Sequence, residues 1–336
     1  MSEVRTLLKA AAERLFADLL TPQARAAADA GRWEAAAWQA IETSGLPNAL
    51  LPESAGGSGL GWAEVYPLVF EAGRQALPWP LVDTMAARWL CERAGIATPA
   101  GALTLAALVG SDSSLVQAPW AKQVAGVVLL RRGDPAQLEL LEPFGREAQG
   151  VVGVDAQPAA RLALSHIRVQ AQATLPAPAI DSQTLGAMLR SAQIAGALSQ
   201  ALKISIKYVN TRVQFGKPLG RFQAIQHQLA QLAAQTAAAG AAARAAFDAL
   251  DADALQAGFD IAVAKQRASE AAQIGAAIAH QVHGAMGITE EYSLHPLTRR
   301  LWAWSAEYGS AACWSERVAD IALEQECGVW EFLTAR

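Results

Sequence analysis

The stretch Arg212-Val-Gln-Phe-Gly216-Lys-Pro-Leu-Gly220-Arg-Phe-Gln223 gathers groups suited to a phosphate-bearing ligand. Arg212 offers a planar fork of permanent donors that matches a phosphate. Gln223 adds an amide that can hydrogen-bond, and Phe215 an aromatic face that can pack on a ring. The blander reading has Arg212 capping a helix and Gln223 lying on the surface. Further on, Gln281-Val-His283-Gly284 reads as a turn at a helix end. Backbone groups there lack helical partners, and Gly284 permits close approach. His280 and His283 share a helix face and could hold a metal, but no carboxylate cluster stands beside them, so no metal is expected.

Other motifs fail on spacing. Gly57-Ser-Gly59-Leu-Gly61 lacks a preceding strand and the third-glycine spacing of a dinucleotide loop, so it reads as a turn. Gly216-Lys217 is followed by proline, which rules out a phosphate loop. No Gly-x-Ser-x-Gly elbow and no Glu-x-x-His pair occurs. The net charge is -4, with no Lys/Arg-rich stripe, so nucleic acid is not expected as a partner. The three cysteines, Cys91, Cys313 and Cys327, show no metal spacing. Met1 to Arg5 lead straight into an amphipathic pattern without the apolar core of a signal peptide, and no apolar run approaches a membrane span. A cytoplasmic protein is expected.

The elements that must position these residues follow from changes of texture. Residues 1–98 read as a helical domain, with Leu7, Leu8, Ala11, Leu15 and Leu19 at helical spacing and breakers at Leu51 to Gly59 and Pro78 to Pro80. Residues 99–177 carry short, often alternating runs, which predicts an antiparallel β domain, a small barrel or sandwich. After Pro176 and Pro178, residues 178–336 turn helical again, with Asp181 or Ser182 as N-cap. Ile194, Leu198, Leu202 and Ile206 step along one face; Phe222, Ile225, Leu229 and Leu232 mark a second helix. A third is expected from about Ala252 to His283 and a fourth from near Leu297. The alanine-rich run from Ala233 predicts close helix packing. The fold class is α+β multidomain: an N-terminal helical domain, a middle antiparallel β domain and a C-terminal four-helix bundle.

With Gln226-His227-Gln-Leu-Ala230 following it, the Arg212 segment resembles the acyl-CoA dehydrogenase family, which carries Arg-x-Gln-Phe-Gly-x-Pro and Phe-Gln, then His-x-Leu-Ala, between two bundle helices. Gln281 to Tyr292 and Leu51-Pro-Glu to Gly59 resemble two further family segments. The resemblance covers nearly the whole chain. It implies FAD as cofactor, bound by Arg212, Phe215, Gln223, Gln281, His283 and Gly284, with the Arg212 and Gln281 segments reaching the flavin of a neighbouring subunit. It thus implies a homodimer or homotetramer, with an acyl-CoA substrate and an electron-transfer flavoprotein as partner. The implied reaction is α,β-desaturation of an acyl-CoA thioester, as in fatty acid or steroid side-chain degradation. A carboxylate takes the α-proton and the flavin the β-hydride.

The family base precedes a glycine that aligns with Gly309, which puts Tyr308 at the base position and Glu307 one residue earlier. On a helix, one residue is a rotation of about 100°. Glu307 is the candidate catalytic base, with Gly309 and Ser310 lining the flavin side. The alternative family position, in Gln183 to Gln193, holds no acid; Arg190 there could serve an acyl-CoA phosphate or cap a helix. Glu290 and Glu291 are expected to be structural. Trp120 is a candidate flavin neighbour, replacing strands that typical members use. Two alternatives accompany the dehydrogenase reading: a non-catalytic partner subunit of a heteromer, and a flavin-free scaffold.

Overall fold

The computed structural model describes residues 3–109, 114–175, 180–253, 257–289 and 291–334. Pro176, Pro178 and Glu290 lie outside them. Five helices come first: α1 (Glu3–Leu19), α2 (Pro22–Asp29), α3 (Ala35–Thr43), α4 (Trp62–Arg74) and α5 (Leu81–Arg93). In α1 the buried residues are Ala12 and Phe16, with Leu8, Leu15 and Leu19 beside them, while Leu7 is 64% exposed. Apolar residues lie on more than one side of this helix, and only the stripe facing α4 packs.

The turn expected at Gly57 is real. A Cβ there would lie 2.1 Å from the Leu51 carbonyl oxygen, and Gly56 and Gly59 adopt positive φ. The turn delivers Gly61 as the N-cap of α4. The first free N–H groups of that helix are taken by a distant acid: Trp62 and Ala63 donate to the Asp251 carboxylate at 2.7 and 2.6 Å.

The middle region builds two four-stranded sheets from β1 (Leu103–Leu105), β2 (Ala107–Val109), β3 (Leu115–Pro119), β4 (Gly126–Arg131), β5 (Ala136–Leu141), β6 (Gln149–Val152), β7 (Pro158–Ala163) and β8 (Val169–Leu175). Their orders are β1-β4-β5-β8 and β2-β3-β7-β6. The pairing is antiparallel except that β1 and β4 run parallel. The exception has a topological cause: β2 and β3 belong to the other sheet, and this excursion supplies the long crossover that a parallel pair needs. Trp120 is core: it is 1% exposed, its Nε1 donates to the Pro78 carbonyl at 2.9 Å, and its ring meets Trp33 edge-on.

The C-terminal bundle rests on α6 (Ser182–Thr211), capped by Asp181 through the Thr184 N–H. A short hairpin of β9 (Val213–Gln214) and β10 (Lys217–Pro218) leads to α7 (Gln223–Ala252), then α8 (Ala257–His283). In α6, Ile194 and Leu198 are fully buried but Ile206 is 43% exposed. A strict four-residue step drifts about 40° per step, so three steps carry a residue about 120° off the packed stripe. The fourth column is broken in two, α9 (His295–Ala306) and α10 (Ala311–Leu323), followed by the short α11 (Val329–Thr334). Tyr308 at φ +56° and Gly309 at φ +104° make the break, because the left-handed region cannot continue a right-handed helix.

Helices α4 and α6 cross at glycines. A Cβ on Gly196 would sit 2.0 Å from the Phe70 carbonyl oxygen, and one on Gly73 would sit 2.0 Å from that of Gln193. Gly196→Ala is therefore expected to pry α4 from α6 and destabilise the protein by about 1–3 kcal/mol. Gly240→Ala, where a Cβ meets open space, is expected to be neutral or slightly stabilising. Urea denaturation midpoints of the two variants provide the comparison.

Candidate active site

The break between α9 and α10 turns Glu307 and Tyr308 toward α6 and α5. Glu307 is not helical: with ψ 140° it ends α9, so a rotation about a helix axis does not describe its direction. Its Oε2 accepts from Arg190 Nε at 2.6 Å. Arg190 is only 3% exposed. Its Nη1 and Nη2 grip both oxygens of Asp83 at 3.2 and 3.0 Å, and Nη1 also donates to Gln193 Oε1 at 2.6 Å. Burial opposes the Arg190 charge, but Asp83 and Glu307 outweigh it and hold the guanidinium above its ordinary range.

Tyr308 completes the cluster. Its hydroxyl lies 3.1 Å from the Leu105 carbonyl and 3.2 Å from Asp83 Oδ1, to either of which it can donate. Its ring presses against α6 where only Gly186 leaves room, since a Cβ there would sit 2.3 Å from the ring. Burial, reinforced by Asp83, pushes the phenol well above its usual range. Tyr308 is thus a neutral donor, unsuited to removing a proton.

Gly309 and Ser310 also serve the break. The missing Gly309 side chain gives space to Trp314, whose Nε1 would lie 2.6 Å from a Cβ and donates to the Tyr308 carbonyl at 2.9 Å. Ser310 caps α10 through the Cys313 N–H. Gln183, close to Gly309, lines a cleft of 360 Å³ between β4 and the start of α6.

From below, Lys265 on α8 holds the end of α9. Its fully buried Nζ donates to the Trp304 and Ser305 carbonyls at 2.6 and 3.1 Å and to Ser269 Oγ at 3.1 Å. It thereby serves carbonyls that a helix end leaves unpaired. Burial lowers its pKa from 10.5 to about 7. Below about 7 the burial cost of the charge is fully present. As pH rises from about 7 toward 10.5, the folded chain holds fewer protons than the unfolded one, so this group's contribution to stability improves. Relative to Lys265→Met, the wild type should gain stability across that window, measured by urea denaturation at each pH.

The remaining candidates cluster at the far end of the bundle. Arg212 ends α6, 22 residues beyond Arg190, which is about 33 Å along a helix. Around it stand Phe215, 90% exposed at φ +52°, and Gln223, exposed at the start of α7. The end of α8 joins them: Tyr208 Oη donates to the His283 carbonyl at 3.3 Å. Gln281 and Gly284 are exposed there, and Gly284, at φ +58°, has nothing within 4 Å of a Cβ position. His283 turns inward, its Nδ1 2.8 Å from the Ala279 carbonyl and its Nε2 3.2 Å from Tyr292 Oη, so its side chain does not join the exposed set. A permanent cation, an exposed aromatic ring, two amides and an open glycine fit a dinucleotide with phosphates and an aromatic base. Among the described residues no group of three or more His, Cys, Asp or Glu could hold a metal.

Two family models match: the N-terminal domain of acyl-CoA dehydrogenases over residues 2–100 and the C-terminal domain over residues 179–322. The chain is 32% identical to acyl-CoA dehydrogenase IpdE2 of Mycobacterium tuberculosis over 98% of both chains. It belongs to the acyl-CoA dehydrogenase family. The steroid ACAD Tcur3481-Tcur3483 superposes with a TM-score of 0.85 at 25% identity, covering 95% of this chain and 98% of the other. A chain of the ChsE4-ChsE5 complex from Mycobacterium tuberculosis shares the fold, with a TM-score of 0.80 at 18% identity, covering 97% and 98% of the two chains.

Against this acyl-CoA dehydrogenase background, sequence reasoning missed Asp83 and the placing of Arg190. Arg190 neither caps a helix nor stands free for a phosphate. The available signal was a lone acid and a lone base, each inside an apolar helical run. Among the described residues no helix is long and apolar enough to cross a membrane.

Proposed function

We propose that this chain is the non-catalytic partner subunit of a heteromeric acyl-CoA dehydrogenase. In that assembly its Arg212 end completes a flavin site carried by another chain, for α,β-desaturation of an acyl-CoA thioester. The observation that carries this reading is the closed cluster at the base position: Tyr308 is buried and neutral, and Glu307 is held by Arg190. Arg212 would hold the pyrophosphate of FAD, Phe215 would pack on a ring, and Gln223, Gln281 and the open backbone at Gly284 would add hydrogen bonds. FAD, when bound, supplies the hydride acceptor. Two of the similar proteins, Tcur3481-Tcur3483 and ChsE4-ChsE5, are named as pairs, the first as a steroid enzyme, which favours a heteromer and a steroid-derived acyl group. An electron-transfer flavoprotein is the proposed oxidant, and the cytoplasm the proposed location.

A second reading, a self-sufficient homomer with Glu307 as base, is favoured by one observation: the Glu307 side chain keeps 26% exposure at the helix break. Co-expression with a neighbouring acyl-CoA dehydrogenase subunit separates the two. The proposal expects flavin and acyl-CoA-dependent bleaching only in the mixed assembly, with Glu307→Gln leaving the bleaching rate within about twofold. Loss of a general base slows a reaction by about 10²–10⁴, and a loss of that size in Glu307→Gln would establish the homomer's base instead. Absence of flavin from every assembly would leave the scaffold reading.

A further inference from the structure

A second cleft, of 660 Å³, opens between α2, the loop at Asp155 and the start of α9. The last α9 residue in its lining, Arg300, lies seven residues before Glu307, about 10 Å along the helix. Its volume falls in the range of small-molecule sites, about 300–1,000 Å³. Arg25, Arg299 and Arg300 line one side; Leu20, Pro78 and Leu297 supply apolar surface.

The three arginines are unequally served. Arg300 is paired, with Nη1 2.6 Å from Asp155 Oδ2. Arg25 Nη2 donates to the Gln75 carbonyl at 3.1 Å, and Arg299 Nε to the Val154 carbonyl at 2.7 Å. Asp29 stands 3.7 Å from Arg299 Nη1, outside hydrogen-bond reach. Two guanidiniums therefore answer mainly to backbone carbonyls and keep donors toward the cleft. Burial, then repulsion from Arg300, lowers the Arg25 pKa, with Asp29 opposing in part. Arg74, also in the lining, is paired with Glu71 at 2.6 Å, and Glu291 lies exposed at the rim. Inside the rim three guanidiniums then face the two carboxylates of Asp29 and Asp155, an excess of one positive charge before the solvent-screened Glu291 is counted.

We propose that this cleft binds a small amphipathic monocarboxylate, its carboxylate on Arg25 and Arg299 and its apolar body against Pro78 and Leu297. One negative charge matches the excess. The second charge of a phosphate would face Asp29 and Asp155, so a phosphate is disfavoured. The site shares no residue with the flavin-facing set or with the cluster around Glu307.

Calorimetric titration of the purified protein with hexanoate, hexan-1-ol and inorganic phosphate tests it. Hexanoate should bind one to one. Arg25→Gln and Arg299→Gln should each weaken it about tenfold or more, the loss expected for a hydrogen bond to a charged group. Ala26→Trp, on the exposed rim of the cleft, changes no charge and should block binding by filling the space, which keeps the test valid if the arginine variants fold poorly. No hexanoate binding by the wild type would overturn the proposal. So would equal affinity for hexan-1-ol, displacement of hexanoate by equimolar phosphate, or wild-type affinity in Arg25→Gln and Ala26→Trp.

Discussion

Arg190→Met is expected to lower stability by about 3–5 kcal/mol, the usual consequence of removing one member of a buried ion pair. Asp83, only 3% exposed, would lose the guanidinium that grips both its oxygens and be left facing the Tyr308 hydroxyl. Glu307, partly exposed, can turn to water, so Asp83 carries most of the loss. Adding Asp83→Asn to Arg190→Met removes the stranded charge and should recover part of the stability, as a double-mutant cycle in urea would register. If Arg190→Met unfolds at the wild-type midpoint, the cluster is not what holds the α9–α10 break against α5 and α6.

Arg212→Ala is expected to weaken flavin retention by roughly ten- to a hundredfold in the co-expressed assembly, from the loss of about 1.5–3 kcal/mol in a charged hydrogen bond to phosphate. Because Arg212 lies on the surface, beyond the end of α6, the variant should fold and assemble normally. Flavin absorbance after dialysis, scaled to protein, measures the effect. Unchanged retention would remove Arg212 from the flavin site and take with it the main support for the partner role.

The Arg212 segment was legible because its residues are neighbours in the chain. The hairpin and helix start that present Arg212, Phe215 and Gln223 are local structures set by Gly216, Pro218 and Gly220. The helix–sheet–helix order was legible for the same reason, since hydrophobic periodicity changes where element type changes. The parallel β1–β4 pair was not, because it depends on where β2 and β3 go rather than on either strand. The Asp83–Arg190 pair joins residues 107 positions apart, and no local pattern records such a meeting. Trp120 looked available for a cofactor only because a sequence does not say which way an aromatic side chain turns. At Glu307 the misplaced premise was geometric: α9 stops at Ala306, so its direction follows from the turn at Tyr308 and Gly309.

The two hydrogen bonds from Asp251 to the start of α4 impose an order on how the chain can be made. During synthesis the segment of α4 leaves the ribosome early, yet the acid that satisfies its first donors follows 188 and 189 residues later. Until then those N–H groups have only water. The α4–α6 crossing at Gly73 and Gly196 must wait in the same way. The amino-terminal layer is therefore finished by the carboxy-terminal one, and the nascent chain passes through a long interval with the α6-facing side of α4 uncovered. That interval is when a chaperone, or a fellow subunit emerging nearby, has its best opportunity to engage it.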